Sequence, residues 1–393
     1  MINTLFTQLE QYKEELVEIR RDLHMHPELS NEEKRTPAFI AKYLEDLGID
    51  IRTNVGGNGV VGRLEGAKPG KTIALRADFD ALPIQDEKDV PYKSKIPGVS
   101  HACGHDIHTA ALLGIAKLLS NHRDDLHGNV VFIHQFAEEV SPGGAERMIA
   151  DGCLEGVDAI YGAHVWANNP IGDVFFIEGD AMAAVDTFKI KINGKGGHGA
   201  MPHTSIDPVF AASKLVIDLQ QIISRNIDPL KPAVLTVASI HAGHAENVIP
   251  DTAEITGTVR TFDRELRQYV KDRMKRLCDG LEVQQDVEVT LDYEHGHAAL
   301  FNHIQETRDL KEKTEIILTE NNVSYEGPFM GGEDFSYYLQ KVPGTFFYVG
   351  GRNEEKNAVY PHHHPKFDVD EESIITIGKV FLIALSLHDV IEE

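Results

Sequence analysis

Between residues 186 and 293 the sequence runs strand, helix, strand, strand, helix, strand, and few folds admit that order. Asp186–Ile192 alternates apolar and polar residues, and a glycine-rich turn, Gly194-Lys195-Gly196-Gly197, follows it. A helix is expected at 207–225, strands at 233–241 and 252–261, a helix at 263–279 and a last strand at 286–293. This is the split arrangement of a ferredoxin-like α+β domain, complete in about 110 residues. A unit that closes on itself mid-chain reads as an insertion, expected at 185–296, between a first part at 1–184 and a second at 297–393.

The flanking parts share a different texture. Leu5, Leu9, Tyr12, Leu16 and Ile19 recur at helical spacing, and a second helix is expected from about Thr36 to Leu47, closed by Gly48. Strands are expected at Gly59–Leu64, Thr72–Ala77, Asn129–Gln135 and Ala159–Val165, with an apolar helix at 107–120 between them. After 297 come a helix at 304–321, a glycine-rich loop at 327–332, a strand at 345–350 and a helix at 370–390. Strands alternating with helices give an α/β domain, a mixed sheet flanked by helices.

The net charge of −24 repels phosphate backbones and anionic lipid surfaces, so neither nucleic acid nor membrane is an expected partner. No run of about 18 apolar residues occurs, and the N-terminal MINTLFTQLEQYKEELVEIRRDL is charged and amphipathic, without the apolar core of a secretion signal. Three cysteines, Cys103, Cys153 and Cys278, make no disulfide framework and suit a reducing cytoplasm. Histidine is abundant, at 20, and clusters at His24/His26, His101/His105/His108 and His362/His363/His364.

Cys103-Gly104-His105-Asp106-Ile107-His108 packs four metal-ligand types into six residues, just before the apolar helix. Thiolate, imidazole and carboxylate together suit Zn, Co, Ni or Mn. The plain alternative makes Asp106 the helix cap, which leaves the cysteine and histidines unexplained. Asp78 and Asp80 end a strand, where open α/β sheets place their sites. Strand alternation sends them to opposite sides, so one is expected to face the site and the other to serve turn chemistry ahead of Pro83. Glu138 and Glu139 follow a core strand directly; one metal ligand and one general base is the division of labour that metal-activated water needs. His164 closes the next strand at the same sheet edge, and the late Pro361-His362-His363-His364-Pro365 offers imidazoles that cannot all face one point. Ligands drawn from successive strand-end loops are the supply a two-metal hydrolase centre requires.

The segments Arg20–Glu28, RADFDALP, HACGHDIHTA, QFAEE, GAHV, GKGGHGAMPH, ENVIPD, GTVRTF, GGEDFSYY and HHHPKFD occur in that order along nearly the whole chain. Together they resemble the aminoacylase/carboxypeptidase metallopeptidases, and most of all their amidohydrolase branch of hippurate hydrolases, N-acetyldiaminopimelate deacetylases and plant auxin-conjugate hydrolases. The Cys-Gly-His-Asp element is specific to that branch; other branches bridge their metals with an aspartate. The resemblance implies a zinc-peptidase-like catalytic domain carrying an inserted lid and dimerisation domain. It implies two divalent ions, Mn, Zn, Co or Ni, held by Cys103, His105, Glu139, His164 and His363, with Glu138 as general base. His363 is chosen because the branch's ligand lies two residues before Pro365 of the His-x-Pro-x-Phe element. Asp80 matches an aspartate that orients a ligand, and Asp78 stands where other branches have a metal-binding histidine. His198 matches a residue that reaches the substrate carbonyl, from the partner subunit in dimeric relatives. Asn247 and Arg260 match positions at the substrate's carboxylate end.

The expected activity is metal-dependent hydrolysis of the amide bond of an N-acyl amino acid or small peptide, in a homodimer. Aminopeptidase or dipeptidase activity of the same family stays open, as does the acyl group. A Cys103 nucleophile paired with His105 is disfavoured, because an i,i+2 pair in a loop rarely lets the ring reach the sulfur. A metal-dependent binding protein needs no general base, and the Glu138-Glu139 pair argues against it.

Overall fold

Four strands, His127–Gln135, Lys68–Asp78, Ala159–Pro170 and Gly344–Arg352, lie parallel in that spatial order at the centre of an eight-stranded sheet. Lys68–Asp78 is buried from Thr72 onward and the other three along most of their length, as strands covered on both faces must be. Asp50–Val55 and Gly59–Glu65 extend the sheet antiparallel on one side; Asp173–Phe176 and Asn322–Tyr325 complete it on the other. The computed structural model describes residues 1–392.

Two helices, His105–Ser120 and Ser373–Leu387, are buried nearly all round and belong to the core. Where one N-terminal helix was expected there are two, Ile2–Gln11 and Lys13–Met25, with the break at Tyr12. The next runs over Arg35–Asp46, and Gly48 after it takes the left-handed φ of +71° that a glycine permits. Strands Asp50–Val55, Asp173–Phe176 and Asn322–Tyr325 had no sequence expectation: the first is mostly exposed, and the other two have four residues each. The helix expected at 304–321 stops at Ile317, and the short last strand begins only at Asn322.

The chain divides into two units. One comprises Met1–Gly179, Phe301–Gly327 and the chain from Asp334 onward; the other comprises Asp180–Leu300 with Pro328–Glu333. The inserted unit therefore begins and ends a few residues outside the expected 185–296 and takes in part of the 327–332 loop. Its four strands lie in the antiparallel order Ala233–Ala242, Thr252–Thr261, Ala184–Asn193, Glu288–His295. That is the ferredoxin-like order, with Ala233–Ala242 at an edge. Alternation along Ala184–Asn193 buries Phe188, Ile190 and Ile192 together with Leu215 and Leu219 of helix Pro208–Gln221 and Met274 of helix Arg264–Gln285. Both helices start at an aspartate that accepts first-turn amides: Asp207 takes the Val209 N–H at 2.8 Å, and Asp263 takes that of Leu266 at 2.7 Å. Among the described residues no helix is long and apolar enough to cross a membrane.

Candidate metal centre

The carboxyl ends of the four parallel strands gather the predicted ligands of the first unit. Ligand atoms of Cys103, His105 and His164 lie within 4.8 Å of one another; so do those of Cys103, Glu139 and His363, and those of His105, Glu138 and Glu139. Cys103 and His105 each belong to two of these triads. His164 sits inside its strand rather than at its end, because the strand runs on to Pro170.

The loop before helix His105–Ser120 is shaped by Gly104. Its φ of +98° suits glycine, and a Cβ there would stand 2.4 Å from Val165 Cγ1. The peptide can therefore pass close under the His164 strand, which brings Cys103 Sγ to 3.4 Å from His164 Nε2. The Nδ1 of His164 donates to the Val165 carbonyl at 2.6 Å, leaving the Nε2 lone pair on the cysteine side. Burial and the neighbouring rings of His108 and His362 push His164 well below its ordinary range, so it stays a neutral donor.

His105 is oriented in the same manner. Its Nδ1 meets the Asp80 carbonyl at 2.9 Å and Asp80 Oδ1 at 3.2 Å, and its buried Nε2 has no hydrogen-bond partner. Around that nitrogen stand Asp78 at 3.7 Å, Glu139 at 3.8 Å and Glu138 at 3.9 Å. Burial pushes His105 down, but Asp78, Asp80 and Glu139 outweigh it and raise the ring to about 10. A pocket that negative attracts a cation as readily as a proton. Glu139 Oε1 is likewise buried without a hydrogen bond of proper geometry, with His363 Nε2 at 3.5 Å. Burial, then the carboxylates of Glu139, Glu138 and Asp78, push the Cys103 thiol far up. Two orphaned buried ligand atoms amid thiol, imidazole and carboxylate fit a di-cation site.

Asp78 and Asp80 do not divide as strand alternation predicted: both touch His105. Asp78, ending its strand, accepts from Arg76 Nη1 and His108 Nδ1, each at 2.6 Å. Asp80 takes Ser30 Oγ at 2.6 Å and the Glu139 N–H at 3.1 Å. Burial pushes Asp80 up, but these donors and His105 overcome it and hold the carboxyl below its usual value. The chain leaves the strand after Asp78, so alternation no longer fixes where Asp80 points. Asp106 is no helix cap either. It is buried against Arg20 Nε and His24 Nδ1, each at 2.7 Å, and ties the N-terminal helix to the ligand loop. His108 has both nitrogens engaged: Nδ1 donates to Asp78 and Nε2 accepts the Val165 N–H at 2.9 Å.

The three consecutive histidines separate by their hydrogen bonds. His362 Nε2 accepts the Ala167 N–H at 3.0 Å, and His364 Nδ1 accepts that of Lys366 at 3.0 Å while its ring stacks on Tyr360. His363 takes a left-handed φ of +63°, and its amide bonds the Ala102 carbonyl at 2.8 Å, beside Cys103.

The other predicted residues lie in the second unit. His198 is exposed on the two-residue strand Gly197–His198, which pairs with Val248–Ile249. The Gly199 N–H bonds the Asn247 carbonyl at 2.8 Å, so His198 and Asn247 are neighbours. Arg260 is half-buried in strand Thr252–Thr261, and burial lowers its guanidinium below the ordinary range. Sequence reasoning did not single out Ser30, Glu33, Arg76 or Asp334. Arg76 joins Asp78 to Asp334 Oδ1 at 2.9 Å, and Gln135 Nε2 reaches the same carboxylate at 2.7 Å. The buried arginine inside an otherwise apolar strand, IALRAD, was the available signal.

The sequence pattern described as Peptidase family M20/M25/M40 matches residues 74–386. The protein YhaA of Bacillus subtilis (strain 168) is 50% identical over 382 residues, 97% of this chain and 96% of that one. A protein of the same organism named N-acetyl-L-cysteine deacetylase is 43% identical over 366 residues, 92% of this chain and 85% of that one. The crystal structure of another Bacillus subtilis protein, described as a dinuclear metal binding peptidase from the M20 family, superposes with a TM-score of 0.83. It is 36% identical, covering 97% of this chain and 99% of that one.

Proposed function

The chain belongs to Peptidase family M20/M25/M40, and from that premise we propose that it is a metal-dependent amidohydrolase cleaving the amide bond of N-acyl amino acids. One observation carries the reading: donor atoms of Cys103, His105, Glu138, Glu139, His164 and His363 converge, with His105 Nε2 and Glu139 Oε1 buried and without a hydrogen-bond partner. The relative named N-acetyl-L-cysteine deacetylase supports the substrate class.

Cys103, His105 and His164 would hold one divalent ion, and Cys103, Glu139 and His363 the other. The mixed donor set suits Zn, Mn, Co or Ni. Bound there, the ions supply Lewis-acid polarisation of the amide carbonyl and a water acidified towards pH 7. Glu138, almost wholly buried beside this set, takes the proton from the attacking water and returns it to the leaving nitrogen. Asp80 fixes the His105 ring from its far side. His198 donates to the developing oxyanion, a contribution of about 3–4 kcal/mol for one such donor. Asn247 and Arg260 recognise the substrate carboxylate. A homodimer pairs through the exposed edge strand Ala233–Ala242, near exposed Phe210 and Ile217. Three free cysteines accord with a cytoplasmic setting.

The test is a panel of N-acyl amino acids and dipeptides assayed after chelation and again after Mn, Co or Zn is restored. Turnover of acyl amino acids that disappears with chelator and returns with metal is expected. Turnover indifferent to chelator would overturn the reading, and so would metal binding without any turnover.

A further inference from the structure

Glu33 is 1% exposed and stands outside the donor set of the metal centre. One of its oxygens accepts the Ala137 N–H at 3.0 Å, and the other accepts Asn58 Nδ2 at 2.9 Å. Ala137 is fully buried and has a φ of +51°. For a residue with a Cβ that left-handed conformation costs about 1–2 kcal/mol and needs surroundings that impose it. Two hydrogen bonds do so: Glu33 holds the amide, and the Ala137 carbonyl accepts the Gly144 N–H at 3.0 Å. The next two residues are Glu138 and Glu139. A flip of Ala137 to the right-handed region would turn φ through about 100° and redirect both carboxylates.

The rest of this segment braces the same site. Ser30 donates to Asp80, and the Glu28 carbonyl accepts the Ala81 N–H at 2.9 Å. The Glu28 carboxylate collects the amides of Lys34, Arg35 and Thr36 at 2.8–2.9 Å and so fixes where the segment passes into its helix. A buried carboxylate is an expensive way to satisfy two amide donors unless the geometry it enforces matters.

We propose that Glu33 is a positioning residue: it locks Ala137 left-handed and thereby aims Glu138 and Glu139. The inference rests on the roles given above to those two glutamates. Its test separates it from a carboxylate that merely satisfies buried donors, because glycine adopts the left-handed region without penalty. Glu33→Ala lowers kcat about 10–100-fold while KM moves less than about threefold, the pattern of misdirected catalytic groups. Adding Ala137→Gly to Glu33→Ala raises kcat about tenfold over the single variant, a coupling that a double-mutant cycle reads directly. Glu33→Gln keeps an acceptor for the Ala137 amide and stays within about threefold of wild type; it keeps the test alive if Glu33→Ala folds poorly. In the metal-free protein, hydrogen exchange of segment 136–140 speeds up in Glu33→Ala while the helix at 373–387 keeps its protection. That readout is independent of turnover, so inactivity of the wild-type protein would count against the functional reading alone. Unchanged exchange at 136–140, no relief from Ala137→Gly, or a loss in Glu33→Gln as deep as in Glu33→Ala overturns the proposal.

Discussion

Asp80 grips His105 twice at one nitrogen, with its carbonyl at 2.9 Å and its carboxylate at 3.2 Å from Nδ1, while Nε2 faces the acidic side of the site. The grip fixes both the tautomer and the rotation of the ring. Asp80→Ala is expected to weaken metal binding about 10–100-fold, the usual consequence of losing a partner behind a ligand. Asp80→Asn keeps an acceptor oxygen and should lose less. Competition titration against a chelating dye measures both; equal affinity in wild type and Asp80→Ala would contradict the assignment.

The adjacent glutamates should separate cleanly. Glu138→Gln removes the proton acceptor and keeps the shape, so metal content holds while kcat falls roughly 10²–10⁴-fold. Glu139→Gln weakens metal binding itself. Metal analysis after gel filtration decides between them, and matching metal losses in the two variants would sink the division.

Cys103 must shed its proton before it can bind metal, and burial beside Glu139, Glu138 and Asp78 holds that proton tightly. Metal binding should therefore release protons, and apparent affinity should rise with pH. Cys103→Ala should lower the stoichiometry, and Cys103→Asp should restore part of it and flatten the pH slope near neutrality. Rapid alkylation of Cys103 in fully metallated protein would exclude a bridging thiolate.

His134 is buried in strand His127–Gln135, and neither ring nitrogen has a hydrogen-bond partner. Burial alone pushes it down to about 3. The unfolded chain takes up a proton near pH 6.5 and the folded chain does not, so stability drops as pH falls from there towards 3. Between pH 7 and pH 5 this one group accounts for about 2 kcal/mol. His134→Leu should remove that part of the acid sensitivity. Urea unfolding at the two pH values tests it; an unchanged difference would show that His134 is not the cause.

If the partner subunit supplies His198, mixing His198→Ala with Glu138→Gln protein should rescue activity. Random pairing makes half the dimers mixed, each with one intact composite site, so about a quarter of wild-type turnover returns. No recovery after verified subunit exchange would assign His198 to its own subunit or to no catalytic role.

The order of elements was legible because its signals are local. Strands such as Asn129–Gln135 have the composition of buried parallel strands, and Asp207-Pro208 announces a helix start within two residues. That Cys103, His105 and Glu138-Glu139 would come together was legible because ligand-type residues follow successive strand ends of one sheet. What escaped depends on contacts between distant segments. Nothing in Ser30 or Glu33 reveals that they meet Asp80 and the Ala137 amide, about 50 and 104 residues away. Asp106 has the look of a helix cap until Arg20 and His24 are in place around it. The separate roles of Asp78 and Asp80 turn on the strand ending between them, and element ends are the least determined part of a sequence pattern.

Strand Gly344–Arg352 lies between Ala159–Pro170 and Asp173–Phe176, which are consecutive in the sequence. While the protein is being made, those two neighbours emerge with a vacant place between them, and about 175 further residues, including the whole inserted unit, must leave the ribosome before it is filled. His363 appears later still. Translation thus delivers four of the five proposed ligands before the inserted unit and withholds the last until after it. The second proposed metal site would be completed only after strand Gly344–Arg352 has been made, and a ribosome stalled before residue 344 would hold an open sheet exposing apolar strand edges to chaperones.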